Sequence, residues 1–166
     1  MGIQDLSTIK TNIQSILANA NTTTASDYLS QSVSTKVAYI GKVNPSLIML
    51  HSEKYPFVTS YIDGYDITSE THARDQATGI RMATIDLKII AGVWNPNFSS
   101  QSTDQGSEDL ERLMQNIENI LRNNTSLTNS VDYQKPLDVK FKTFIDEEQD
   151  NHVRFGTMTL QIKKRY

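Results

Sequence analysis

Two stretches of the chain carry apolar residues at helical spacing. Between Ser107 and Asn124 these residues fall on one face of a helix: Leu110, Leu113, Met114, Ile117, Ile120 and Leu121. The segment from Ile3 to Ala20 has the same periodicity, with Leu6, Ile9, Ile13, Ile16, Leu17 and Ala20 on one stripe. Ser107 is predicted to cap the second helix, and Asn123 and Asn124 suit its end because Asn tolerates the left-handed conformation. Each stripe needs an apolar surface to cover.

Alternating apolar and polar positions predict strands elsewhere. The strongest pattern runs from Arg81 to Trp94, and its apolar face is Ala83, Ile85, Leu87, Ile89 and Ala91. The other predicted strands are Lys36 to Val43, Tyr55 to Ile67, Val131 to Ile145, and Val153 to Arg165. The last two form a hairpin across an acidic connection, and Leu47 to His51 is either a strand or a helical turn. Polar connections are predicted at Asn21 to Thr35, Thr68 to Gly79 and Asn95 to Gly106.

The order helix, two or three strands, helix, two strands defines the predicted fold class. It indicates one α+β domain over residues 1–166, with a largely antiparallel or mixed sheet. Because several strands have only one strongly apolar face, we expect both amphipathic helices to pack on that face of the sheet.

Composition narrows the functional classes. The 166 residues carry a net charge of −3, which argues against nonspecific nucleic-acid binding, and sequence-specific binding is not expected either. The absence of cysteine excludes disulfides and thiol chemistry and fits a reducing compartment. The first residues lack the pattern of a secretory signal, and no apolar run reaches membrane-spanning length. A protein without membrane partners is therefore predicted.

Titratable residues offer little support for catalysis. His51, His72 and His152 are far apart and show no metal-ligand spacing, so they are interpreted as surface or packing residues. Asp63 and Asp66 flank Gly64, where turn chemistry accounts for them better than an acid and base pair. The sequence contains no nucleophile elbow, Walker loop or dinucleotide fingerprint. We therefore expect no catalytic residue, cofactor or metal, and no enzymatic activity.

Three groups of residues are candidates for partner contacts. Trp94 and Phe98 flank a polar turn and could anchor another protein, although Trp94 folding into the core is an equal alternative. The acidic hairpin connection contains Glu147, Glu148 and Asp150, which lack the spacing of a calcium loop and fit a solvated tip. The basic end of the chain contains Lys163, Lys164 and Arg165, which could contact phosphate but more commonly serve solvation.

Three local patterns, together with the order of the elements, connect the chain to a known family. They are YPFV at Tyr55 to Val58, DLERLMQNIENILRNNTSL at Asp109 to Leu127, and RFGTMTLQIKKRY at Arg154 to Tyr166. In these features the chain resembles the tail terminator, or tail completion, proteins of tailed bacteriophages. The resemblance covers most of the chain and concerns the type of element more than invariant chemistry.

The resemblance implies a structural virion protein without catalytic residues. Such proteins usually form a hexameric ring at the head-proximal end of the tail tube, stop tube polymerisation and offer a docking surface to the neck. The implied partners are copies of the same chain, the tail tube protein, the neck or connector protein and, in a contractile tail, the sheath protein. The implied location is the virion, with assembly in the host cytoplasm. Alternatives are a head-tail connector or stopper ring, a small soluble adaptor or ligand-binding domain, and a hydrolase with a noncanonical site.

Overall fold

Two α-helices and five strands make up most of the regular structure in the part of the chain that the structure describes. A computed structural model describes residues 6–48, 51–69, 81–96, 105–128, 131–146 and 151–165. In chain order the elements are α1 (Leu6–Ala20), β1 (Tyr39–Gly41), β2 (Phe57–Ser69), β3 (Arg81–Pro96), α2 (Gln105–Asn123), β4 (Tyr133–Asp146) and β5 (Asn151–Arg165). Short 3₁₀ turns at Pro45–Leu47 and Ser52–Lys54 lie between β1 and β2.

The strands form one mixed sheet in the order β1-β2-β3-β5-β4. β1 pairs with β2 in parallel, and the other three pairs are antiparallel. β3 and β4 therefore run in the same direction with β5 between them, and α2 makes the crossover that connects them. The predicted α+β fold with a mixed sheet and a β4–β5 hairpin is confirmed.

Both helices cover the same face of the sheet, as their apolar stripes predicted. Ile9, Ile13 and Leu17 of α1 are buried in one cluster with the apolar face of α2. The predicted apolar face of β3 lies in the same cluster, together with alternate residues of β5: Met158, Leu160 and Ile162. Because side chains alternate across a strand, this cluster fixes one face of the sheet as the core side. We call it the helix side, and the other the open side.

The residues that begin and end α2 act differently from the prediction. α2 begins at Gln105, so Ser107 is its third residue and not its cap. The helix ends at Asn123 as predicted, but the left-handed conformations follow later, at Leu127 and Thr128. Asn124 acts through its side chain instead, and its Nδ2 donates to the carbonyl of Ile120 at 2.7 Å.

Several strand bounds also differ from the sequence patterns. β1 is shorter than predicted at both ends, and beyond its C-terminal end the Thr59 hydroxyl binds both backbone polar groups of Val43. β3 continues to Pro96, two residues into the predicted polar loop. Of the segment Leu47 to His51, Leu47 ends the helical turn Pro45–Leu47 and Ile48 is buried, whereas residues 49 and 50 lie outside the described residues. Most of the predicted loops at Thr68 to Gly79 and Asn95 to Gly106 lies outside the described residues.

The open side carries a smaller apolar cluster that the sequence reading did not predict. Ile48, Phe57 and Phe155 are buried there, with Tyr55 packed against them. The rings of Tyr55 and Phe57 meet edge to face with centroids 5.1 Å apart. This cluster covers the open side near one end of β2 and β5, at the level of Gly92 in β3.

Candidate functional site

The long connection between α1 and β1 is held on α2 by a row of polar side chains. Asp109, Asn116 and Asn123 are spaced by seven residues, so they lie on one side of the helix. The buried Asp109 carboxylate accepts hydrogen bonds from the backbone N–H and the hydroxyl of Ser34. Gln105 Nε2 donates to the same carboxylate at 3.0 Å. This row fixes the connection beside the start of α2.

The remaining contacts of the row continue along the helix. Asn116 Nδ2 donates to the carbonyls of Leu29 and Gln31, both at 2.8 Å. Asn123 Nδ2 donates to Asp27 at 3.1 Å. The connection thus runs antiparallel to α2, and Leu29 is fully buried in the core below it. The sequence contained a signal for these contacts, since three polar residues recur at helical spacing beside the apolar stripe, but the sequence analysis did not identify them as contact residues.

The predicted basic residues lie at one end of β5. β5 has fifteen residues from Asn151 to Arg165, and a rise of about 3.3 Å for each step between them gives about 46 Å from the first Cα atom to the last. Lys163 and Arg165 are exposed at one end of the strand, and Lys164 is half-buried there. The acidic connection joins β4 to β5 beyond Asp146 and Asn151, at the opposite end. Its Glu147, Glu148 and Asp150 lie outside the described residues.

Trp94 lies beside a small cleft near the acidic end of the sheet. It is half-buried and pairs with Val153, so it is neither fully exposed nor fully buried, and its contact with a partner stays a prediction. The cleft has a volume of about 230 Å³ and is lined in part by Tyr55, Asn95 and Asp109. Ligand pockets usually measure about 300 to 1,000 Å³. Phe98, the predicted companion of Trp94, lies outside the described residues.

The two edges of the sheet concentrate exposed apolar side chains. β1 pairs with β2 only from Phe57 to Thr59, so in the described part of the chain no strand covers the outer edge of β2 beyond Thr59. β4 forms the opposite edge. Among the described residues, four of the five large apolar residues that are exposed lie on these two strands: Tyr65 on β2, and Tyr133, Leu137 and Phe141 on β4. Exposed apolar groups that cluster at strand edges are typical of interaction surfaces.

The β4 edge also carries features that prevent indiscriminate strand pairing. Pro136 lacks a backbone donor, and the pairing with β5 shifts between Pro136 and Val139. Lys135, Lys140 and Lys142 are exposed along the strand. Proline, bulges and lysines blunt the edges of natural sheets, so β4 is not a template for an unlimited backbone ladder.

The predicted titratable residues are not brought together. His51 is exposed and lies 3.1 Å from Glu53, whereas His152 is buried on β5 and His72 lies outside the described residues. Asp63 lies 3.8 Å from Lys88 across the sheet. Within the ranges that the structure describes, no group of three His, Cys, Asp or Glu side chains is arranged to hold a metal. None of the described helices is both long and apolar enough to cross a membrane.

Neither a scan against protein-family models nor a search of curated proteins finds a match for the chain.

Proposed function

We propose that this protein is a ring-forming structural subunit at the head-proximal end of a bacteriophage tail tube. Its ring stops polymerisation of the tube and provides the docking surface for the neck. The observation that carries the proposal is the unlike chemistry of the two ends of the sheet, which β5 separates by about 46 Å. Basic residues lie at one end, and the connection at the other end is acidic in sequence.

Unlike ends matter because a terminator must differ from a tube subunit. A tube subunit has matching upper and lower faces, so its rings stack without limit. A terminator needs one face that fits the tube and another that does not fit itself. Two chemically different ends on each subunit give a ring two different axial faces, so one face can fit the tube and the other the neck.

The arrangement of the elements supports the same proposal. The segment YPFV leads into β2, and the segment from Asp109 to Leu127 contains most of the amphipathic helix α2. The segment from Arg154 onward forms most of β5, which lies next to the central strand β3. These are the three segments on which the resemblance to tail terminators depends. The sheet also leaves two lateral edges available, and a ring subunit needs two lateral surfaces in addition to two axial ones.

Electron microscopy of the purified protein tests the proposal directly. We expect single-layered rings with a central hole in ordinary buffer, and a mass in solution that is a whole-number multiple of the monomer. Long tubes would show a tube protein instead. A monomer at every concentration tested, with no effect on tube length when added to assembling tail tube subunits, would reject the proposed function.

A further inference from the structure

The cleft beside Trp94 contains a buried carboxylate, which is the only charged group among the described residues that line it. This carboxylate belongs to Asp109, which is 4% exposed. The cleft lies where the start of α2 meets the end of β3. A Cβ atom added at Gly106 would lie 3.1 Å from the Cβ atom of Asn95, so helix and strand are in close contact there. The cleft is therefore formed by closely packed elements of the fold.

The hydrogen bonds of Asp109 leave its negative charge without a cationic partner. Oδ1 accepts from the Ser34 N–H at 3.1 Å and from Gln105 Nε2 at 3.0 Å, and Oδ2 accepts from the Ser34 hydroxyl. All three donors are neutral, and the start of α2 adds only a partial positive charge. Among the described residues, no basic side chain forms an ion pair with this carboxylate.

One acceptor position of Asp109 is left for a partner. An ionised carboxylate has about four lone-pair sites, two on each oxygen, and three of them are used by the bonds above. The fourth lies on Oδ2. Buried charges in proteins are usually paired with an opposite charge or bound to a metal. The cleft therefore suits a group that is positively charged and donates a hydrogen bond.

The size and the other side chains of the cleft indicate which cation it accepts. Its volume of about 230 Å³ equals that of about eight water molecules in the liquid, which suits one long side chain. A divalent metal takes several oxygen ligands, whereas the described lining offers a single carboxylate. Trp94 and Tyr55 also line the cleft, and aromatic rings attract guanidinium groups.

We propose that this cleft receives an arginine side chain from an exposed segment of a partner protein. The guanidinium group donates to the remaining acceptor position of Asp109 and lies against Trp94 and Tyr55. Arginine fits better than lysine because its planar group donates hydrogen bonds and stacks on aromatic rings. Arginine and aromatic residues are also enriched at protein interfaces. The site belongs to a single subunit, so the proposal goes beyond the ring function and does not depend on assembly.

Trp94 reports directly on this site because it is the only tryptophan of the chain. The probe is the peptide acetyl-Gly-Arg-Gly-amide, and the matched peptide contains citrulline, which has a similar shape but no charge. The arginine peptide should change Trp94 fluorescence saturably, with a Kd on the order of 1 mM for a single side-chain contact. The citrulline peptide should give no saturable change, and the lysine peptide should bind more weakly. Free arginine should also bind more weakly, because its α-carboxylate adds a negative charge near Asp109.

Three variants locate the binding in the cleft. Asp109→Asn keeps the shape of the side chain but removes its charge, so it should weaken binding about tenfold or more. Thr35→Phe adds a ring at an exposed position of the cleft wall and should block binding with an unchanged urea midpoint. Glu108→Gln is the matched control. It makes the same change of charge at an exposed neighbour outside the cleft lining, so it should leave the Kd unchanged.

Several results would overturn the proposal. They are no saturable change with the arginine peptide, equal binding of the citrulline peptide, or binding that persists in Thr35→Phe. Equal affinity for the lysine peptide would overturn the choice of arginine, and tighter binding of free arginine would overturn the assignment to a partner protein. If Asp109→Asn does not fold, the peptide series and Thr35→Phe still decide the question. None of these results bears on the ring function, which electron microscopy tests separately.

Discussion

Asn116 provides a quantitative test of how α2 holds the connection between α1 and β1. Asn116→Ala removes two hydrogen bonds of 2.8 Å to the carbonyls of Leu29 and Gln31. At about 1 kcal/mol per bond, the loss is about 2 kcal/mol. Alanine has a higher helix propensity than asparagine by up to about 0.7 kcal/mol, so the net destabilisation should be about 1.3 kcal/mol. Equilibrium urea denaturation measures this change as a lower midpoint.

Asn119→Ala on the same helix is the matched control. Asn119 is exposed, so its replacement should give only the gain in helix propensity. The two alanine variants should therefore differ by about 2 kcal/mol in the free energy of unfolding. Amide hydrogen exchange should also accelerate near Leu29 in Asn116→Ala and not in the control. Equal midpoints for the two variants would refute the role of the polar row.

Three further outcomes follow from the described contacts and from the acidic connection. Ile117→Asp places a charge at a fully buried position and should cost more than about 3 kcal/mol, so an unchanged denaturation midpoint would show that the α2 stripe is not in the core. Burial raises the pKa of Tyr55 to about 12, so the contribution of its neutral phenol to stability should be complete below about pH 10 and disappear as pH rises through 12. An absorbance titration of the phenolates measures this. If Tyr55→Phe removes no phenolate transition near pH 12, the raised pKa is contradicted. Neutralising Glu147, Glu148 and Asp150 should increase ring-on-ring stacking, because it removes repulsion between like charges on facing rings. Added salt should have the same effect on the wild type, because exposed charges are screened within about 8 to 10 Å. If electron micrographs show stacking unchanged by the substitutions, the acidic connection does not have this role, but the ring function is not affected.

The sequence alone determined the type and approximate extent of most elements. The stripe from Leu110 to Leu121 predicted α2 because a helix places such residues on one face, and the alternation from Ala83 to Ala91 predicted β3 and its buried side. One amphipathic surface requires another, so the packing of both helices on one face also followed from the pattern. These are local properties, because the period of the apolar residues is set by the backbone geometry of each element.

The tertiary structure decided the features that depend on residues far apart in sequence. No local pattern places β5 between β3 and β4, pairs the short β1 in parallel with β2, or assigns Asp109 to Ser34, seventy-five residues earlier. The sequence also did not predict which side chains are exposed at the sheet edges, because the exposure of Tyr65 and Phe141 depends on which strands lie outermost. Strand order and polar pairing are selected by the total burial and hydrogen bonding of the folded chain. A local sequence window contains only one partner of each such contact, and for that reason it does not specify the pairing.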